Sequence, residues 1–566
     1  MIGKRACITV WGVLLWGFQV CAETNYWVAV SGTGQWHEAS NWSLNAVPGE
    51  GDTAVITNAA SSGNGYTVEV DQAPARVWRL TCGAPAGQTL TLNVRTNLAM
   101  LNNSSSDSDW SFGPKGNVTI HVFSNALFEA VCQILGAGAS NNYHIARGGT
   151  LTFGTTVSKR FRAYGGLHVQ GSVLGGPRAG ELVYVGPSFG GPLLLDGGYL
   201  RANQVTCDPV FTNSPVLDMG AYTLAGTTVS LNGGTVTNRA NQWANGKLGI
   251  GGPASANASA YLNLAGGGIW MQQGPTYVCE RPRGYLTVSG NALFWSTNHV
   301  WVGSNNSGTQ VYLPGYHGYL TVEGGTFAVT NQTDSASLFL GNITDGYLTA
   351  AGGTSVVDRI ILSNPADALG VDAVGSVTVS GGVLTARHAF LATNGLFSPI
   401  AFLSGTLNLG HAEVANTRPF LAGNGTDPAV LGLLSGAHRF ADGIVVTNHA
   451  VLSAGGVGSR ASAEVTGDLT LAEGAALHCD FQDNAGDSLS LAGKLTLPAQ
   501  AAVTLTSLDG SLPQQVVLVA AETLDGTLDL SGWTVAPIGE IGYRATVEGS
   551  SLVLVKKPKG TLIGVL

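Results

Sequence analysis

Charge is what this 566-residue chain has least of: 11% of its residues are Asp, Glu, Lys or Arg, against about a quarter in an ordinary soluble domain. Basic residues are the scarcer kind, 26 against 35 acidic ones, for a net charge of −9. Most of such a surface repels nucleic acid, so no nucleic-acid partner is expected. The one basic cluster, Lys556-Lys557-Pro558-Lys559, reads as a solvated tail. Seven cysteines include no CxxC pair, which argues against structural zinc and thioredoxin-like chemistry. After residue 22 no apolar run is long enough to span a bilayer, so no integral membrane segment is expected in the mature chain. There is no GxSxG elbow, no P-loop and no sustained helical period with caps.

What is abundant is glycine, 80 residues, or about 14% and roughly twice the usual share. Hydrophobic residues make up 44% and the mean hydropathy is +0.20, too apolar for a disordered chain. The glycines lack the G-X-Y period of collagen. A large, glycine-punctuated β protein remains.

Residues 1–22 read as a secretory signal. Lys4 and Arg5 precede the apolar stretch from Ala6 to Val20, and Val20-Cys21-Ala22 presents small residues for cleavage before Glu23. An uncleaved anchor and a lipoprotein attached through Cys21 are the alternatives. Removing Lys4 and Arg5 leaves 24 basic residues against 35 acidic ones. Cys7 and Cys21 leave too, and the scattered Cys82, Cys132, Cys207, Cys279 and Cys479 are expected to be mostly buried as small apolar residues.

Self-comparison aligns four segments: Gly284-Tyr-Leu-Thr-Val-Ser-Gly, Gly318-Tyr-Leu-Thr-Val-Glu-Gly-Gly-Thr, Gly346-Tyr-Leu-Thr-Ala-Ala-Gly-Gly-Thr and Gly375-Ser-Val-Thr-Val-Ser-Gly-Gly. The intervals between their first glycines are similar but not equal. Looser copies lie around Leu195-Asp-Gly-Gly, Leu231-Asn-Gly-Gly, Leu264-Ala-Gly-Gly and Phe402-Leu-Ser-Gly. Each unit predicts a short strand, a Gly-Gly corner supplying positive φ angles, and a second short strand. Leu320 and Val322 share one face, Thr321 and Glu323 the other, and Phe327 and Val329 resume the inward face. Such strands bury little alone, so units must stack. A β-propeller blade needs about 40–50 residues, whereas a parallel β-helix tolerates short coils of variable length. The predicted fold is therefore all-β, a right-handed parallel β-helix (β-solenoid) with Gly-Gly corner repeats.

These repeats resemble the passenger-associated β-strand repeats of bacterial autotransporters and related surface-sorted proteins. Trp27 through Trp36, Asn41-Trp42-Ser43 and Gly51-Asp52-Thr53 resemble the opening segment of such proteins. Asn448 to Gly456, Val465 to Leu471 and Gly486 to Leu497 resemble the end of a passenger. The resemblance implies β-helix coils and display at the cell surface. No translocator barrel of alternating strands and no Pro-Glu-Pro sorting signal accompany it. With these readings the chain is expected to divide into a signal at 1–22, a Trp-rich capping segment at 23–80, a β-helix repeat region at 81–440, a passenger-like region at 441–555 and a tail at 556–566.

Parallel β-helices also host polysaccharide lyases and hydrolases, and a glycosidase needs two carboxylates about 5–10 Å apart. Asp358-Arg359 could pair a base with a clamp for a uronate; a coil-surface ion pair is the plainer reading. Asp480, Asp483 and Asp487 offer oxygen ligands for Ca²⁺, but their spacing matches no calcium loop and predicts a solvated turn. His37-Glu38 lacks the second histidine of a zinc-protease helix. His144, His168, His299, His317 and His411 are spaced too widely in sequence to suggest a metal-ligand pair. Trp36 and Trp42 are candidate glycan contacts, although tryptophans near a solenoid terminus more often close its open end; Trp295 and Trp301 share one repeat.

The expectation is a secreted, elongated bacterial surface protein, structural or adhesin-like, extracellular or at the cell surface, with the periplasm as the alternative location. No catalytic residue, metal or cofactor is assigned. Partners are extracellular or cell-surface glycans or proteins. A carbohydrate-active β-helix enzyme and a non-catalytic glycan-binding protein are the alternatives.

Overall fold

The aligned repeats lie directly on top of one another. Gly284 pairs with Gly318, Gly318 with Gly346 and Gly346 with Gly375, each in a parallel ladder. The sequence offsets of the repeats are thus the lengths of successive coils. The computed structural model describes residues 22–558 apart from 30–31, 59–64, 103–111, 133, 135–140, 155–159, 164, 176–181, 186–191, 206–208, 225–227, 241–245, 252–258, 280–282, 305–314, 363–372, 395–397 and 416. Residues 1–21 of the expected signal, Cys207 and residues 559–566 of the tail lie outside that set.

Each coil visits three parallel sheets in turn. Thr276–Val278, Arg283–Val288 and Leu293–Ser296 make one coil. Above them, Val300–Val302 covers the first strand, while the two halves of His317–Val329 cover the second and third. This three-faced stack is the parallel β-solenoid that the repeats predict. Neighbouring coils lie about 4.8 Å apart, the spacing of hydrogen-bonded strands. Among the described residues no α-helix occurs; the one helical turn is 3-10, at Ala39–Asn41. No described helix is long and apolar enough to cross a membrane.

Alternation puts every second side chain inside. Leu286, Leu320, Leu348 and Val377 form one buried column, and Phe294 stacks on Phe327 in the next at 5.3 Å. Each such aliphatic side chain contributes roughly 1.5–3 kcal/mol when buried. Cys82, Cys132, Cys279 and Cys479 are buried.

The corner between the second and third sheets differs from its prediction in two ways. In the later repeats the strand is not interrupted: His317–Val329, Asp345–Leu362 and Gly375–Ala392 run through the corner unbroken. And in these three repeats only the second glycine of the pair is left-handed, with φ of +64° at Gly325, +64° at Gly353 and +63° at Gly382. The first glycine serves close approach instead: a Cβ on Gly352 would sit 2.4 Å from the Glu323 carbonyl oxygen. Both features follow from stacking, because corners of successive coils must nest backbone on backbone.

Both ends of the stack depart from the repeat. Near residue 30, Trp27, Trp36 and Trp42 interlock edge to face at 5.1 and 4.9 Å, and the Trp42 indole N–H donates to the Trp36 carbonyl at 2.8 Å. At the other end, Gln515–Gly526, Ser551–Lys556 and Tyr543–Glu548 pair antiparallel. Antiparallel pairing interrupts the parallel template that an exposed strand edge would otherwise extend.

Candidate functional site

The first candidate begins at a bulge. Along Asp345–Leu362 the register with the next coil slips between Val357 and Arg359, so Asp358 faces both Arg387 and His388. Asp358 points into the corner and is fully buried, while Arg359 on the opposite side of the strand is exposed. The predicted Asp358-Arg359 pair therefore does not form. Asp358 instead accepts from the Asn331 backbone N–H at 2.9 Å and from Arg387 at 3.0 Å. Arg387 also lies 3.6 Å from Asp334, whose carboxylate is 3.1 Å from His388 Nε2.

Asp334, Asp358 and His388 bring potential ligand atoms within 4.8 Å of one another. The guanidinium of Arg387 already supplies the positive charge a cation would bring, and it does so between the two carboxylates. Arg387 follows Asp358 by the same interval that separates Gly346 from Gly375, which is one full coil. Applying the repeat offset to Asp358 would have found it.

The second candidate lies among the C-terminal aspartates, where a solvated turn is predicted. Asp483 is exposed, but Asp480 and Asp487 are buried, at 0% and 2% exposure. Asp480 accepts from the backbone N–H groups of Gly458 at 2.7 Å and Ser459 at 3.0 Å. Asp487 accepts from Ala461 at 2.7 Å and from the Asp480 backbone at 2.9 Å. The two carboxylates thus clamp the loop 455–461 from the preceding coil. Both carboxylates are thus engaged by backbone amides, whereas Ca²⁺ wants six or more oxygens. Burial, against two amide donors, pushes the Asp487 carboxyl up to about 7.

His478 completes this group. Its Nε2 is 3.0 Å from Asp480 Oδ1 and its Nδ1 is 2.9 Å from the Thr504 hydroxyl. Hydroxyl, imidazole and carboxylate stand in the order of a nucleophile triad, yet only 7% of the His478 side chain is exposed. The sequence shows His478 and Asp480 on one strand face, with a single residue between them, but the loop that covers them comes from another coil.

Neither candidate glycan contact presents a ring. Trp36 and Trp42 are buried, at 0% and 2% exposure, so no sugar reaches either face. Aromatic side chains do line the outside elsewhere. Tyr261, Tyr285, Tyr319 and Tyr347 stack at 4.6, 4.8 and 5.1 Å with their planes within 14°. Tyr277, Trp301 and Phe339 form a second ladder, at 5.0 and 5.4 Å. Within a ladder each ring covers its neighbour's face, so a partner meets ring edges and phenol hydroxyls. Trp295, 40% exposed, stands apart from both.

The histidines also gather. His121, His144 and His168 are direct register partners on three successive coils, with ring centroids 4.9 and 5.8 Å apart. What looks like dispersal along the chain is contiguity across coils. No protein-family model matches this chain, and no curated protein matches it.

Proposed function

We propose that the chain is an exported bacterial surface protein, a structural or adhesin-like β-solenoid that works by displaying an extended outer face. One observation carries this reading: the repeats stack in register, so outward residues recur as columns along the rod. Columns of equivalent groups suit many weak contacts to a polymeric or cell-bound partner, whose strengths multiply when linked. The buried carboxylates support it too, since Asp358, Asp480 and Asp487 are engaged by backbone amides and Arg387. Partners are extracellular glycans or proteins, and export rests on residues 1–22.

A polysaccharide-active enzyme is the second reading, favoured by the corner at Asp334, Arg387 and His388. All three are more than 40% exposed. A guanidinium suits a uronate carboxylate, and the His388–Asp334 pair suits proton transfer. The purified protein is incubated with neutral and acidic polysaccharides and with extracellular matrix proteins, and both binding and products are measured. Saturable binding without new reducing ends or unsaturated sugars is expected. Cleavage abolished by Arg387→Ala would replace the display reading with the enzymatic one. Export from a bacterial host should yield a chain beginning at Glu23; a retained leader refutes the cleavage site.

A further inference from the structure

The outward face of the second sheet carries, near its N-terminal end, a column that neither reading above uses. Glu69, Asn93, His121, His144 and His168 occupy one register position on five successive coils. The three histidines line a groove of about 170 Å³ together with Phe123 and Gln170. We propose that this ladder binds one divalent transition-metal ion of the Zn²⁺, Ni²⁺ or Cu²⁺ type, held between His144 and His168.

Imidazole suits these borderline ions better than it suits Ca²⁺ or Mg²⁺. Two nitrogens bound at about 2.0–2.1 Å around a tetrahedral ion lie roughly 3.4 Å apart. His144 and His168, register partners on adjacent strands, have ring centroids 5.8 Å apart, close to the roughly 5 Å that two imidazoles sharing one tetrahedral ion at these bond lengths would show. These rings are already 77° apart in plane, whereas His121 and His144 lie nearly parallel at 13° and face one another. In-plane lone pairs of parallel stacked rings do not converge, which selects the His144–His168 pair.

His168 has the partner that metal-binding histidines use. Its Nε2 is 3.3 Å from Asp196, and Gln170 donates to the same carboxylate at 2.7 Å. A carboxylate behind one ring nitrogen fixes the tautomer and leaves the other nitrogen for the metal. Hydrogen bonds from Gln170, Asn213, Thr212 and His168 hold the Asp196 carboxyl well below its usual range, so it stays an acceptor.

Glu69 and Arg95 stand at the other end of the column. Arg95 pairs with Glu69 at 2.8 Å and lies 3.8 Å over the Phe123 ring, next to His121 rather than His168. Its charge lowers the His121 pKa, after burial, and disfavours a cation at that end of the ladder.

The full-length purified protein is titrated with Ni²⁺ and Zn²⁺ by calorimetry and with Cu²⁺ by visible absorption. One saturable site per chain is expected. His144→Gln and His168→Gln should each weaken binding at least tenfold, and His121→Gln much less. Asp196→Asn should weaken it several-fold without abolishing it. His449→Gln, on a distant turn, leaves it unchanged and controls for adventitious histidine binding. Affinity should fall as pH drops from 7 to 5.5. Circular dichroism melts identify any variant that has lost its fold, and for it a second change, His144→Asn, is read instead. The absence of a saturable site, or wild-type affinity in folded His144→Gln, overturns the proposal.

Discussion

Gly353→Ala isolates what holds a coil corner together. Gly353 has φ +64°, and a Cβ there would lie 2.5 Å from both the Gly324 carbonyl carbon and the Gly325 oxygen of the coil below. An L-residue in the left-handed region costs about 1–2 kcal/mol, and forcing an extra methyl into packed backbone costs about 1–3 kcal/mol. Together these come to about 2–5 kcal/mol. Two other glycines separate the contributions. Gly267 has φ +80° with nothing within 4 Å of its Cβ position, so Gly267→Ala should show only the conformational cost. Gly352 lacks positive φ but would crowd the Glu323 oxygen at 2.4 Å, so Gly352→Ala should show only the steric one. Stability in a solenoid is approximately a sum of coil and neighbour terms, so the readout must be local. Amide exchange across Asp345–Leu362 should accelerate about thirtyfold or more in Gly353→Ala. The same should hold less strongly for the coils on either side. Exchange in Gly353→Ala no faster than in Gly267→Ala would refute the argument that stacked corners demand glycine for space as well as for φ.

Three further outcomes follow from the same structure. Trp42→Ala should destabilise the N-terminal coils by about 3–5 kcal/mol, seen as loss of tryptophan fluorescence at lower urea, because Trp42 is buried between Trp27 and Trp36; wild-type unfolding would show that the cluster does not close the stack. Asp358→Ala strands the Asn331 N–H and should cost about 1–3 kcal/mol, whereas Arg359→Ala, exposed, should stay within about 0.5 kcal/mol; equal urea midpoints would contradict the assignment. Asp487, raised to about 7 in the folded chain, binds its proton more tightly there than when unfolded. Its contribution to stability is thus full below about pH 4 and is lost as pH rises through about 7. Asp487→Asn should flatten that slope in pH-dependent urea melts, and an unchanged slope would assign it to another group.

Much of the architecture is legible in the chain. The intervals separating Gly284, Gly318, Gly346 and Gly375 are coil lengths, and the inward positions of Leu320, Val322, Phe327 and Val329 follow from alternation. The tryptophans near residue 30 read as hydrophobic mass at a terminus, and all three are buried. What misleads is treating chain neighbours as spatial neighbours: Asp358 and Arg359 adjoin in sequence, but their strand turns them to opposite sides. Asp480 and Asp487 look solvated because the loop 455–461 that covers them belongs to the previous coil.

The sequence by itself determined the unit, the parallel stacking and which side of each strand faces inward, because period-2 alternation and glycine at a corner are local requirements. Only the tertiary structure decided which outward side chains meet. Val300 pairs with Leu338 and Leu338 with Ile360, so a long coil is followed at once by a much shorter one. Across such uneven coils, the partner of an outward residue is set by how much chain each intervening loop consumes. That is why His121, His144 and His168, scattered along the chain, stand as one column.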